Sequence, residues 1–173
     1  MRTESMEMNQ SIVKIQDIID KSHEFIWKID NWSTKRRHAQ NGIDTDIYSK
    51  YFYSCENGYQ IHLVACPDGN FDGKGTHLSL YFYIMKGPFD DILEWPFKHD
   101  VEFSLIDQKS GHAHYTWTSR YSDDPDHIAF TKPVNHENGG YGIPTFMKLE
   151  EISTNPALSR GNQIFIKCVV KFV

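Results

Sequence analysis

The residues of this chain that could do chemistry fall into four small groups. His112 and His114 share one face of an extended segment, with Asp123, Asp124 and Asp126 close behind in sequence. Two imidazoles and a carboxylate could begin a metal site, but a structural zinc site needs four ligands at set spacing. No Cys or His pair completes this one, so acid-rich surface turns are the expected reading. His77 and Ser79, two residues apart on a strand face, have the types of a base and a nucleophile. No glycine elbow surrounds Ser79, and nothing marks an oxyanion hole. Gly69, Gly73 and Gly75 are glycine-rich, yet no Lys-Ser or Lys-Thr follows at a helix start, as a phosphate loop requires. Cys55, Cys66 and Cys168 are odd in number and form no CxxC pair. With no secretory signal, free thiols in a reducing compartment are the simplest account. The reading is therefore a non-enzyme without metal or cofactor, and what remains is recognition by surface.

Composition fits that class. The 173 residues hold one domain with room for a short appendage, and 14% aromatic content leans toward strands. Net charge is −5 with no basic stripe, which excludes nucleic acid as the main partner. The local cluster Lys35, Arg36, Arg37 and His38 reads as a solvated loop. No run approaches the roughly 20 apolar residues of a membrane helix, so no membrane insertion is expected. The start MRTESMEMNQ lacks a signal-peptide core, and the chain reads as cytoplasmic.

The elements that must position a recognition surface are strands. Leu78, Leu80, Phe82 and Ile84 alternate with His77, Ser79, Tyr81 and Tyr83, and Val101, Phe103 and Leu105 alternate with Glu102 and Ser104. That period of two buries one face of a sheet. Between the two runs, Trp95-Pro96-Phe97 holds two aromatics on a rigid corner. Further strands are expected at 25–29, at 47–53, along Tyr59, Ile61, Leu63 and Ala65, at 113–117 and at 164–173, with a short segment at 127–130. Turn signals such as Pro67-Asp68-Gly69-Asn70 and Asn138-Gly139-Gly140 separate them. The pattern predicts an all-β fold, an antiparallel β-sandwich of seven to eight strands over residues 23–173. Residues 1–22 differ. Met8, Ile12, Ile15 and Ile19 follow the 4-3-4 spacing of a coiled-coil seam, and Ile at both a and d favours three or more strands. Two heptads are too short to be stable alone, so a homotrimer is expected, with packing on the chain's own domain as the alternative.

The wording of the strands is specific. Gly75-Thr76-His77-Leu78-Ser79-Leu80, Met85-Lys86-Gly87, Trp95-Pro96-Phe97 and Asp107-Gln108 follow in order. Phe25-Ile26-Trp27-Lys28-Ile29 precedes them, and Gly140-Tyr141-Gly142, Thr145-Phe146-Met147 and Ile164-Phe165-Ile166-Lys167 follow. Together they resemble the MATH domains, in particular the TRAF-C domain of tumour necrosis factor receptor-associated factors. That resemblance implies a trimeric stalk and a signalling adaptor that binds short peptide motifs of cytoplasmic receptor tails or signalling proteins along an edge strand. A MATH module that recognises substrates for ubiquitin ligation or deubiquitination is the alternative.

The resemblance also places a groove. Val64 stands where the family has a basic residue for an acidic peptide side chain, and Cys66 where it has an aromatic or His. Asn70 stands where some members have an Asp that accepts a peptide hydroxyl. Tyr81, Phe103, Tyr121 and Phe130 would form the apolar pocket. His127-Ile128-Ala129 replaces a row of three Ser that grips a Gln; its Ile128-Ala129 pair resembles one whose backbone amides hold a Glu carboxylate. Tyr141, Gly142 and Ile143 fall on the edge strand, where aromatics stack on a peptide ring. Loss of a guanidinium at Val64 removes the reader of an acidic residue, so a more apolar ligand is expected.

Overall fold

The computed structural model describes residues 2–20 and 22–173, with side chains from 3–14 and 23–173. Among these residues, nine strands form two antiparallel sheets packed face to face. The elements are α1 (Arg2–Asp20), β1 (Ser22–Ile29), α2 (Trp32–Gln40), β2 (Ile47–Tyr48), β3 (Phe52–Tyr53), β4 (Gln60–Cys66), β5 (His77–Met85), β6 (Asp100–Ile106), β7 (Ala113–Ser119), β8 (Tyr141–Lys148), α3 (Leu149–Thr154) and β9 (Ile164–Lys171). One sheet runs β1-β9-β6-β7. The other runs β2-β4-β5-β8, with β3 also paired to β4. Among the described residues, no helix is long and apolar enough to cross a membrane.

The period-two runs meet between the sheets. Leu78, Leu80, Phe82 and Ile84 from β5 face Val101, Phe103 and Leu105 from β6, all 1% exposed or less. Phe82 sits at the centre, with ring centroids of Phe97, Phe103, Phe130 and Tyr141 6.0–6.4 Å away. The Trp95-Pro96 bond is cis. Around this corner, Tyr59 packs edge-on against Trp95 and Phe97 at 5.0 and 4.8 Å and donates its hydroxyl to the Glu94 carbonyl. Trp95 donates from Nε1 to the Asp90 carbonyl at 2.9 Å.

Four expectations change. The run 47–53 is two short strands, β2 and β3, both paired with β4. Residues 128–130 form a 3-10 turn, not a strand. Lys35, Arg36, Arg37 and His38 lie on α2, not in a loop. That helix buries only Trp32 and Ala39, and Asn162 Oδ1 accepts the Ser33 N–H at its start. Arg37 and His38 in its last turn suit the negative end of the helix dipole. The strand β8 was not signalled by alternation, although its residues entered through the family resemblance.

On α1, Met8 and Ile12 are 63% and 56% exposed, and Met6 and Val13 are exposed beside them. The apolar stripe therefore does not pack on the sandwich over these positions. The side chains of Ile15 and Ile19 lie outside the described residues.

Candidate functional site

The candidate site is the free edge of the second sheet. β8 pairs with β5 on one side and with no strand on the other, among the described residues. Its register sets which side chains share a face. Tyr81 lies opposite Val64 on β4 and Gly142 on β8, making a row across the outer face. Cys66 lies opposite Ser79 in the next row. Tyr141 and Ile143 lie opposite Phe82 and Leu80, so they turn to the inner side, where both are half-buried. The predicted groove residues thus divide into two sets on either side of one edge.

The outer set is mostly covered. Val64 and Cys66 are 3% and 2% exposed, so both line the floor rather than a wall. Cys66 Sγ donates to Asp46 Oδ1 at 3.2 Å, and burial together with that carboxylate pushes the thiol up to about 12. Tyr81 is half-buried; burial pushes its phenol up to about 12, and its hydroxyl donates to Asn70 Oδ1 at 2.5 Å. The Asn70 N–H donates to Ser79 Oγ at 3.0 Å, and Ser79 Oγ donates to the Pro144 carbonyl at 2.6 Å. One hydroxyl thereby ties the loop after β4 to both β5 and β8. It also leaves Ser79 without a nucleophile's freedom, since the residue is fully buried and His77 Nδ1 is engaged with Thr76 Oγ1 at 2.8 Å. Gly142 allows the close approach of β8 to β5. A Cβ there would lie 2.0 Å from the Leu80 oxygen.

The inner set is an aromatic cluster around a turn. The Tyr141 ring packs against His127 at 4.9 Å and Phe130 at 5.0 Å, and Tyr121 meets Phe130 at 5.5 Å. The Phe97 N–H donates to the Phe130 carbonyl at 2.7 Å, which fastens this turn to the rigid corner. Asn138 Nδ2 donates to the carbonyls of Ala129 and Thr131 at 3.1 and 2.6 Å, fixing the turn to the approach of β8. The Ala129 N–H donates to His127 Nδ1 at 3.1 Å, so an imidazole of the same chain occupies the amide that the resemblance offered to a carboxylate. Ala129 and Phe130 are 1% exposed, whereas Ile128 is exposed.

Phe103 is a correction. It is fully buried and stacks on Trp117 at 5.5 Å between the sheets, so it supports the core and touches no groove. Sequence reasoning also missed several neighbours of the outer row. His62 stacks on Tyr83 at 5.0 Å and meets Glu137 Oε2 at 2.5 Å, with the Tyr48 ring 6.1 Å away. Asn138 was read only as a turn residue; an Asn ahead of two glycines gives no sign of which carbonyls its amide will hold. His114 pairs with Glu151 at 2.6 Å. Among the described residues, no three His, Cys, Asp or Glu side chains gather as metal ligands.

Two antiparallel sheets packed face to face, with an open edge beside an aromatic turn, define a β-sandwich. Residues 44–167 match the TRAF/meprin MATH domain, and the chain belongs to that family. It is 37% identical over 146 residues to TNF receptor-associated factor 2 of Homo sapiens, covering 84% of this chain and 28% of that protein. It is 31% identical over 166 residues to TNF receptor-associated factor 5 of Homo sapiens, covering 95% of this chain and 29% of that protein. The solved structure of Notothenia coriiceps TRAF5 superposes with a TM-score of 0.80 at 25% identity, covering 99% of this chain and 87% of that one. The chain thus spans less than a third of the length of these two human relatives.

Proposed function

We propose that this chain is a non-enzymatic signalling adaptor domain that binds an extended peptide by adding it as a strand to the free edge of β8. The observation that carries the reading is the division of the groove residues about that edge. A strand added there would send alternate side chains to opposite faces. One set would meet Tyr81, Asn70 and the Gly142 backbone, and the other Tyr141, His127, Ile128 and Ile143. Main-chain hydrogen bonds to β8 would supply affinity, and the two faces specificity. Val64 presents no cation, so the ligand carries apolar side chains and does not require an acid opposite it. By likeness to the TNF receptor-associated factors, the peptides belong to cytoplasmic receptor tails or signalling proteins.

A short extended peptide buries little surface and loses entropy on ordering, so each contact is weak. The exposed Met8 and Ile12 stripe on α1 supports assembly into a homotrimer. Three linked sites would raise avidity by roughly 10²–10⁴ against clustered tails without any new contact.

The test is an N-methyl scan of a ten-residue peptide selected on the 173-residue chain. Strand addition predicts that methylation abolishes binding at every second residue only, because alternate N–H groups face the edge. Uniform tolerance along the peptide would overturn the reading.

A further inference from the structure

Five non-glycine residues have positive φ among the described residues: Asn31, Asp44, Asn57, Phe71 and Asn162. Four of them are Asn or Asp, whose short polar side chains tolerate the left-handed region. Phe71 is different. A bulky aromatic at φ +44° is a backbone outlier, because its Cβ crowds the following carbonyl. Strain of this kind persists only where the surroundings fix it. Yet the ring recovers little from packing, for Phe71 is 81% exposed and stacks on no other aromatic among the described residues.

What fixes the strain is the groove itself. Asn70, immediately before Phe71, gives its N–H to Ser79 and takes the Tyr81 hydroxyl. Gly73, two residues after, lies so close to β8 that a Cβ there would fall 2.0 Å from the Pro144 oxygen. The Gly73 N–H returns to the Asn70 carbonyl at 2.9 Å, and the Lys74 N–H to the Phe71 carbonyl at 3.1 Å. The loop is thus tied at Asn70 to Ser79 and Tyr81 and lies against β8 at Gly73, and between those two points Phe71 keeps its ring in solvent. Pro144 lies two residues beyond Gly142 on β8. The register of β8 against β5 shifts between Ile143 and Met147, so Pro144 sits in that irregular stretch, and only side chains on the outer face of an added strand can reach it.

We infer that Phe71 is a specificity-determining residue of the groove, and that it receives an apolar side chain of the peptide on the same face as the one over Tyr81. This rests on the reading of β8 as the peptide-binding edge. The occupant is an extended peptide of a partner protein with two apolar residues turned to that face.

The test uses the full 173-residue chain and its Phe71→Gly and Phe71→Leu variants on arrays of ten-residue peptides randomised one position at a time. The wild-type chain selects apolar residues at two positions an even number of residues apart. Phe71→Gly loses at least about tenfold in preference at one of them and nothing at the other, while its thermal midpoint stays level or rises as the backbone strain is relieved. Phe71→Leu keeps the apolar preference and loses the preference for aromatics. Identical selection by wild type and Phe71→Gly overturns the inference, as does a thermal midpoint several degrees lower in Phe71→Gly, which would make the ring a part of the fold. Failure of the β8 reading looks different. Then the wild type selects no peptide, or N-methylation shows no period of two, and both conclusions fall. A clear period of two with unchanged selection in Phe71→Gly removes the role of Phe71 alone.

Discussion

Ser79→Ala should be among the most damaging single-atom deletions in this domain. The hydroxyl accepts the Asn70 N–H at 3.0 Å and donates to the Pro144 carbonyl at 2.6 Å, in a residue with 0% exposure. Removing it orphans one donor and one acceptor where water has little access, at about 1–3 kcal/mol for each unsatisfied group. Asn70 and Pro144 are themselves only half-buried, which places each group toward the lower part of that range. The expected loss is therefore about 2–4 kcal/mol. For a domain of this size it corresponds to a thermal midpoint roughly 5–12 °C lower. Urea titration followed by tryptophan fluorescence measures it, and the slope of the transition should not change, since no surface is newly exposed in the folded state. The loop carrying Asn70 would also detach from β8, so peptide affinity should fall with stability. A loss under about 0.5 kcal/mol would refute the stitching role of this hydroxyl.

Three further outcomes follow from the same structure. Phe103→Ala should cost about 3–5 kcal/mol through the cavity left between the sheets, while peptide selection per folded molecule stays unchanged; arrays run well below its melting point would check this. Light scattering should give three times the 20.2 kDa chain mass, and Ile12→Asp should return the mass to one chain; a monomer with residues 1–22 present would contradict the stalk. Stability should also fall as pH rises from about 9 to 12. Cys66 moves from 9.0 to about 12, and Tyr59 and Tyr81 from 10.0 to about 12, chiefly by burial. In that window the unfolded chain has lost protons that the folded chain keeps, so the slope with pH is negative. Urea midpoints measured between pH 8 and 12 would show it, and Cys66→Ala should flatten the first part of the fall.

The sheets were legible because burial imposes a period of two, which β5, β6 and β9 follow over most of their length, whereas β4 is buried on both faces from Ile61 to Cys66. β8 departs from that period. β8 reads Tyr-Gly-Ile-Pro-Thr-Phe-Met-Lys; its glycine, proline and register shift break the alternation. A proline within a run does mark an edge strand, and that signal was available. α2 was missed because it is polar nearly all round and buries only Trp32 and Ala39, seven residues apart. Phe103 failed for the opposite reason. Its alternation with Val101 and Leu105 places it inside, against the groove position that the family resemblance implies. Val64 and Cys66 point outward by register, yet are covered. Burial on an outer face depends on neighbouring loops, which no strand pattern encodes. Phe71 could not be found at all, since a positive φ at a phenylalanine is set by the hydrogen bonds of Asn70 and Gly73 around it.

The central claim is that β8 is the strand to which a peptide adds. Amide hydrogen exchange across Tyr141–Lys148, with and without a saturating array-selected peptide, tests it most directly. The account predicts new protection at alternate amides of β8, those turned away from β5, with little change along β7 at the edge of the other sheet. Protection that appears on β7, or unchanged exchange throughout β8 while the peptide is bound, would contradict it.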